Sequence, residues 1–196
     1  ARLFEEALEK QRMEEELNIA RDIQRRLLPA TYPAIEGFQV KGLNIPSKQV
    51  GGDYFDCIRI DDNRIALTIA DVSGKGVPAS LLMSNLQASL HSQVSADVEI
   101  TKMTGRLNNF LQAHTSYDKF ITYFYAELDV QARTLTYINA GHNPPYLYHI
   151  DGSFRLLDKG GLLLGMMADM PYEKETVPLQ KGDLVVMFTD GVTEAK

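Results

Sequence analysis

The chain has 196 residues, 44% hydrophobic and 23% charged, with a formal net charge of −6. One cored domain of about 100–150 residues plus a short appendage fits that length, and the balance excludes disordered, collagen-like and fibrous classes. The acidic surplus removes the basic footprint on which binding of duplex nucleic acid or anionic membrane depends.

Residues 1–26 hold seven acids and six bases and neither glycine nor proline, so they read as one long exposed helix that ends before Pro29. Met13, Leu17, Ala20, Gln24 and Leu27 step by 4, 3, 4 and 3, the seam of a coiled coil, whereas Phe4 and Leu8 fall on another phase. Two readings follow: a stripe packing on the domain that comes after, or a self-associating signalling linker, with residues 1–28 forming a homodimer. The domain proper is assigned to 29–196.

From Phe38 the pattern becomes short apolar or alternating runs: Phe38–Ile45, Tyr54–Ile60 and Arg64–Ala70, the last two joined by an Asp61-Asp62-Asn63 hairpin turn. Pro78 opens a helix with Ala79, Leu82, Met83, Leu86, Leu90 and Val94 at helical spacing. A second helix carries Ile100, Met103, Leu107, Phe110 and Leu111. Strands are expected around 121–129, 134–140, 145–150, 153–157, 173–179 and 183–189, with Asp151-Gly152 as a further hairpin turn. Short connections make these strands mostly antiparallel, because a parallel return needs a crossover of about a dozen residues. The class is α+β.

No uncharged apolar stretch approaches the roughly 18 residues a membrane span needs, and the charged N-terminus is unlike a signal peptide, so a cytoplasmic setting is expected. Cys57 is the only cysteine, and the histidines at 91, 114, 142 and 149 show no zinc spacing.

Three segments share one construction, an acid at the edge of an apolar strand beside glycine: GGDYFD at 51–56, IADVSGKG at 69–76 and FTDGVTE at 188–194. Asp beside Gly is ordinary turn chemistry when it stands alone. Three such sites make Asp53, Asp71 and Asp190 candidates to converge on a hard divalent cation, since clustered carboxylates repel unless a cation neutralises them. Gly74, Gly76 and Ala79 also fit G-x-G-x-x-A, yet a second helix follows instead of a parallel strand, and position 69 is isoleucine where a Walker loop needs glycine. Gly74 and Gly76 are better read as a tight turn into a helix whose N–H groups face an anion, and Lys75 as either a phosphate contact or a solvated lysine. In AGHNPP at 140–145, His142 is either a ligand or proton shuttle, or a residue that ties a loop together.

ARDIQRRLLP at 20–29, VGGDYFD at 50–56, ADVSGKG at 70–76, AGHNPP at 140–145, LxxGD at 179–183 and FTDGVTEA at 188–195, in that order, resemble the SpoIIE/RsbU-type bacterial serine/threonine phosphatases. These are a branch of the metal-dependent 2C class. The resemblance implies two stacked antiparallel β-sheets flanked by helices, an α/β/β/α sandwich preceded by the N-terminal helix. It implies two Mn²⁺ or Mg²⁺ ions, with Asp71 bridging both, the carbonyl of Val72 binding one, and Asp53 and Asp190 completing the shells. Gly74, Lys75, Gly76 and His142 are the candidate substrate contacts. The implied reaction is attack of a metal-bridging water on phosphoserine or phosphothreonine of an anti-sigma-factor antagonist protein, under an upstream sensory or receiver domain. No protein nucleophile is needed for it. The broader class carries a histidine where this chain has Ser73, which leaves protonation of the leaving group unassigned. The family continues past the TDGVTEA motif to a further metal-binding aspartate, so the resemblance also implies a C-terminally truncated chain with weak metal binding and weak or absent turnover. A catalytically silent module that binds a regulatory phosphoprotein is the alternative.

Overall fold

The computed structural model describes residues 2–46, 48–116 and 118–192. Helix α1 spans Arg2–Arg25 and buries no residue. Leu17, Ala20, Gln24 and Leu27 are half-buried, whereas Leu3, Phe4, Leu8, Met13, Ile19 and Ile23 are exposed.

A six-stranded sheet carries the domain. β1 (Tyr54–Arg59), β2 (Arg64–Val72), β3 (Ile121–Asp129) and β4 (Thr134–Ala140) pair in sequence order, all antiparallel. The far side of β4 is shared between β7 (Gly160–Gly161), which runs parallel to it, and β8 (Glu175–Pro178), which runs antiparallel. β5 (Tyr146–Tyr148) is the centre of a separate antiparallel sheet between β6 (Phe154–Leu156) and β9 (Leu184–Val186).

The two faces of the large sheet are covered differently. On one lie α2 (Val77–Gln93) and α3 (Ile100–His114), whose Ala79, Met83, Leu86, Leu90, Met103, Leu107 and Leu111 pack with Ala70, Tyr123, Tyr125 and Ile138. Fully buried leucines such as Leu86, Leu90 and Leu107 each contribute about 1.5–3 kcal/mol. Leu147 of β5 and Val185 of β9 join Ile65, Leu67, Phe124, Ala126 and Tyr137 on the other face. Among the described residues, α2 and α3 are the helices packed on a sheet, and the outer face of the small sheet leaves Tyr148, Phe154, Leu156 and Leu184 exposed.

The hairpins form where the turn residues place them. Asp61 Oδ1 accepts from the backbone N–H of Asn63 and of Arg64, both at 2.8 Å, and Gly152 takes a φ of 85° that favours glycine. Two expectations are corrected. Phe38–Ile45 is not a strand: Phe38 makes a single bridge to Ile35, and Phe38 and Val40 pack on the sheet face by side chain while Leu43 and Ile45 are exposed. The Tyr32 hydroxyl, not a neighbouring strand, donates to the Gly42 carbonyl at 3.1 Å. β7 was not expected, because two glycines carry no alternation. A Cβ at Gly160 would fall inside the backbone of Asn139, so glycine is what lets this strand reach β4.

Candidate active site

The site lies at the end of the large sheet where β2 finishes. Tyr54 opens β1 opposite Ala70, so Asp53 falls one residue outside the ladder, beside the strand end that carries Asp71 and Val72. Gly52 is buried with the Val72 carbonyl so close that a Cβ on it would stand 2.9 Å from that oxygen. A side chain at 52 would push Asp53 away from β2. On the other side of β2, Asp71 is paired in register with Thr122 and Val72 with Ile121.

Asp190 arrives from the small sheet. β9 leads through Phe188 and Thr189 into a one-turn 3-10 helix, Asp190–Val192. Burial raises the Asp53 carboxyl above its usual range, a hydrogen bond with Thr189 opposes that, and the neighbouring Asp190 charge raises it further. Asp53 and Asp190 therefore share one electrostatic neighbourhood. Thr193, Glu194 and Ala195, the tail of that motif, lie outside the described residues.

His142 links β3, the end of β4 and the segment that leads to Asp190. Its backbone N–H donates to Asn139 Oδ1 at 2.8 Å, Nε2 lies 3.1 Å from the Phe188 carbonyl oxygen and Nδ1 2.8 Å from Thr122 Oγ1. A carbonyl only accepts, so Nε2 carries the proton and Nδ1 accepts from the Thr122 hydroxyl. Burial drives the imidazole down to about 4 against the opposing pull of Phe188 and Asp190. These contacts, and the neutral form that burial favours, are those of a residue that ties the loop together.

The turn after β2 holds Gly74 at φ 99° and Gly76 at φ 77°, and Gly76 begins α2 with no side-chain cap. Pro78 has no N–H and Ser80 N–H donates to the Gly76 carbonyl, so the N–H groups of Val77 and Ala79 are those left for an anion or water. Lys75 is exposed. A second cation, not anticipated from the sequence, belongs to this turn: Lys119 Nζ stands 3.6 Å from where a Gly74 side chain would begin. Ser73 is committed to structure, its N–H donating to the Phe120 carbonyl at 2.9 Å and its Oγ accepting from Phe120 N–H at 3.0 Å.

The donor set is all hard oxygen: Asp53, Asp71, Asp190 and the Val72 carbonyl. That chemistry, with the Asp53 carboxyl raised by burial and by the Asp190 charge and a glycine cradle against Val72, suits Mg²⁺ or Mn²⁺. Among the described residues no three His, Cys, Asp or Glu side chains are drawn close enough to hold a metal as they stand. Asp53 and Asp190 are brought together, and Asp71 is on the adjoining strand end.

The family model of Stage II sporulation protein E (SpoIIE) matches residues 61–196. Phosphoserine phosphatase RsbU of Bacillus subtilis is 35% identical over 187 residues, covering 95% of this chain and 56% of the relative. The chain thus spans little more than half of that protein. Among solved structures, the RsbU and RsbW domains of Rv1364c from Mycobacterium tuberculosis superpose with a TM-score of 0.65 at 32% identity, over 76% of this chain and 41% of that one. The SiaA-PP2C domain of Pseudomonas aeruginosa superposes with a TM-score of 0.74 at 23% identity, over 94% and 74%, a likeness of fold.

Proposed function

This chain belongs to the SpoIIE family of PP2C-type serine phosphatases, and on that premise we propose that it hydrolyses phosphoserine or phosphothreonine on a protein of the anti-sigma-factor antagonist kind. The observation that carries the reading is the meeting of Asp53 and Asp190 beside the end of β2, where Asp71 and the Val72 carbonyl lie. In this reading those four groups hold two Mn²⁺ or Mg²⁺ ions. When bound, the cations offset the carboxylate repulsion and supply the Lewis acidity that brings the pKa of a water towards neutrality.

The chain's own part is positioning and charge, which is most of what phosphoryl transfer needs. The Gly74–Gly76 turn and the first N–H groups of α2 face the phosphoryl oxygens, with Lys75 and Lys119 adding positive charge. His142 holds the Phe188 carbonyl and with it the approach to Asp190, and remains neutral. Ser73, whose oxygen is held by the Phe120 N–H, is a weak acid near neutral pH, so the leaving oxygen takes its proton from solvent.

Residues 1–28 act as a linker helix that also forms a homodimer, and 29–196 as the phosphatase domain. The exposed Tyr148, Phe154, Leu156 and Leu184 support a helix over the small sheet, the fourth layer of an α/β/β/α sandwich. No described helix is long and apolar enough to cross a membrane. Turnover of p-nitrophenyl phosphate by protein stripped with chelator tests the activity. Slow hydrolysis restored by manganese is expected; hydrolysis indifferent to chelator contradicts the cation reading, and none at any manganese concentration favours a silent phosphoprotein-binding module.

A further inference from the structure

Gln24, in the last turn of α1, reaches across 27 positions of sequence to Gly51. Its Nε2 donates to the Gly51 carbonyl at 2.7 Å, and the Gly51 N–H donates to its Oε1 at 3.1 Å. A primary amide thus satisfies both backbone groups of one residue, as a neighbouring strand would. Of the side chains, only asparagine and glutamine can donate and accept in this way without charge, and the pair is partly shielded from water, where such bonds count for more.

The clamped residue stands two positions before Asp53, within about 7 Å of chain. The segment has little freedom of its own. Val50 is buried, Gly52 is wedged against Val72, and Tyr54 is buried and enters β1. Gly51 is the point at which an outside element holds this segment. That element is otherwise loosely attached: α1 buries no residue, and Leu27 and Leu28, just beyond it, are partly buried on the helical-side core. The neutral amide also adds no charge beside Asp53, whose carboxyl already contends with Asp190.

We propose that Gln24 is a positioning residue, which fixes the Asp53 loop to α1 and so sets the geometry of the cation site. The second half of this statement rests on the cation reading above; the first half does not. Because coupling is reciprocal, cation binding should in turn protect the clamp.

The test uses the full chain in two measurements. In chelator, amide hydrogen exchange at Gly51 is followed by NMR in the parent, Gln24→Ala, Gln24→Glu and Leu28→Ala. Exchange at Gly51 rises about tenfold or more in Gln24→Ala while Ala70 and Phe124 in the sheet are unchanged. Gln24→Glu, which can accept but not donate, falls between. Leu28→Ala removes packing but not the amide, and leaves Gly51 as in the parent. In the second measurement Mn²⁺ is titrated and free metal is read by EPR. Gln24→Ala weakens binding by about 10-fold, the lower range for groups that orient a ligand without touching the metal, and Leu28→Ala by less than about twofold. Unchanged Gly51 exchange in Gln24→Ala overturns the clamp. Faster exchange with unchanged Mn²⁺ affinity, or an equal loss in Leu28→Ala, overturns the positioning role. A parent that binds no Mn²⁺ overturns the cation reading and the positioning role with it, and the exchange measurement still decides the clamp by itself.

Discussion

The imidazole of His142 donates from Nε2 to the carbonyl oxygen of Phe188, 3.1 Å away and two residues before Asp190. Through Thr122 on its other nitrogen, the ring ties β3 to the segment that leaves the small sheet. The site is therefore assembled from two sheets by a neutral, buried base.

That burial fixes a pH dependence. The folded value of His142, about 4, lies below its ordinary 6.5, so the unfolded chain binds more protons in between. Its contribution is whole above about pH 6.5 and is lost as pH falls towards 4. At about 1.4 kcal/mol per pH unit, His142 should account for about 3 kcal/mol of the stability lost between pH 6.5 and 4, read by urea unfolding in chelator as the difference between the parent and His142→Gln. His142→Gln should flatten that slope, and an unaltered slope would show that the ring titrates freely.

Asp53 carries the opposite sign. Its folded carboxyl is raised, chiefly by burial, so the ionised form is disfavoured and its cost appears as pH rises through the folded value. Asp53→Asn should raise the melting temperature of chelator-treated protein at pH 7, because it removes a carboxylate whose ionised form burial and Asp190 disfavour. The same substitution should abolish the further stabilisation that Mn²⁺ gives by mass action. A lower melting temperature in chelator would contradict the repulsion.

Ser73→Ala deprives the Phe120 N–H of its acceptor and should cost about 1–2 kcal/mol in denaturant unfolding. The pH profile of turnover should keep its shape, since Ser73 is assigned no proton transfer. A profile that loses its alkaline limb would return Ser73 to the chemistry as a proton donor.

Of the Met13–Leu27 seam, Leu17, Ala20, Gln24 and Leu27 are half-buried within the chain and Met13 is exposed, so self-association of this helix is left to its other apolar face, where Phe4, Leu8, Ile19 and Ile23 are exposed. Light scattering should find the full chain dimeric and a version starting at Pro29 monomeric at tens of micromolar, roughly where so short a coiled coil stops being marginal. Two monomers would reduce α1 to an intramolecular strap.

Much of this was legible in the sequence because local chemistry and tertiary structure agree. Apolar runs bounded by turns mark β2 and β3, buried along most of their length, helical spacing marks α2 and α3, and Asp-rich turns mark both hairpins. Phe38–Ile45 misled because alternation reports burial of one face and says nothing about whether a backbone partner exists. Gly160–Gly161 escaped because a strand admitted by its lack of side chains leaves no pattern. Gln24 was counted as a seam position of a coiled coil. A polar residue in that apolar stripe was the available signal, but its partner, Gly51, is identifiable only in three dimensions. Lys119 likewise adjoins Gly74 through the β2–β3 pairing, which no local motif announces.

Equilibrium titration of Mn²⁺ into chelator-stripped protein, followed by EPR in the parent and in Asp71→Asn, addresses the central claim most directly. Saturable binding in the parent, lost or weakened at least 10-fold in Asp71→Asn because an inner ligand matters more than the groups that orient it, is the predicted result. Binding of equal strength in both proteins, or in neither, would contradict a cation site at the end of β2.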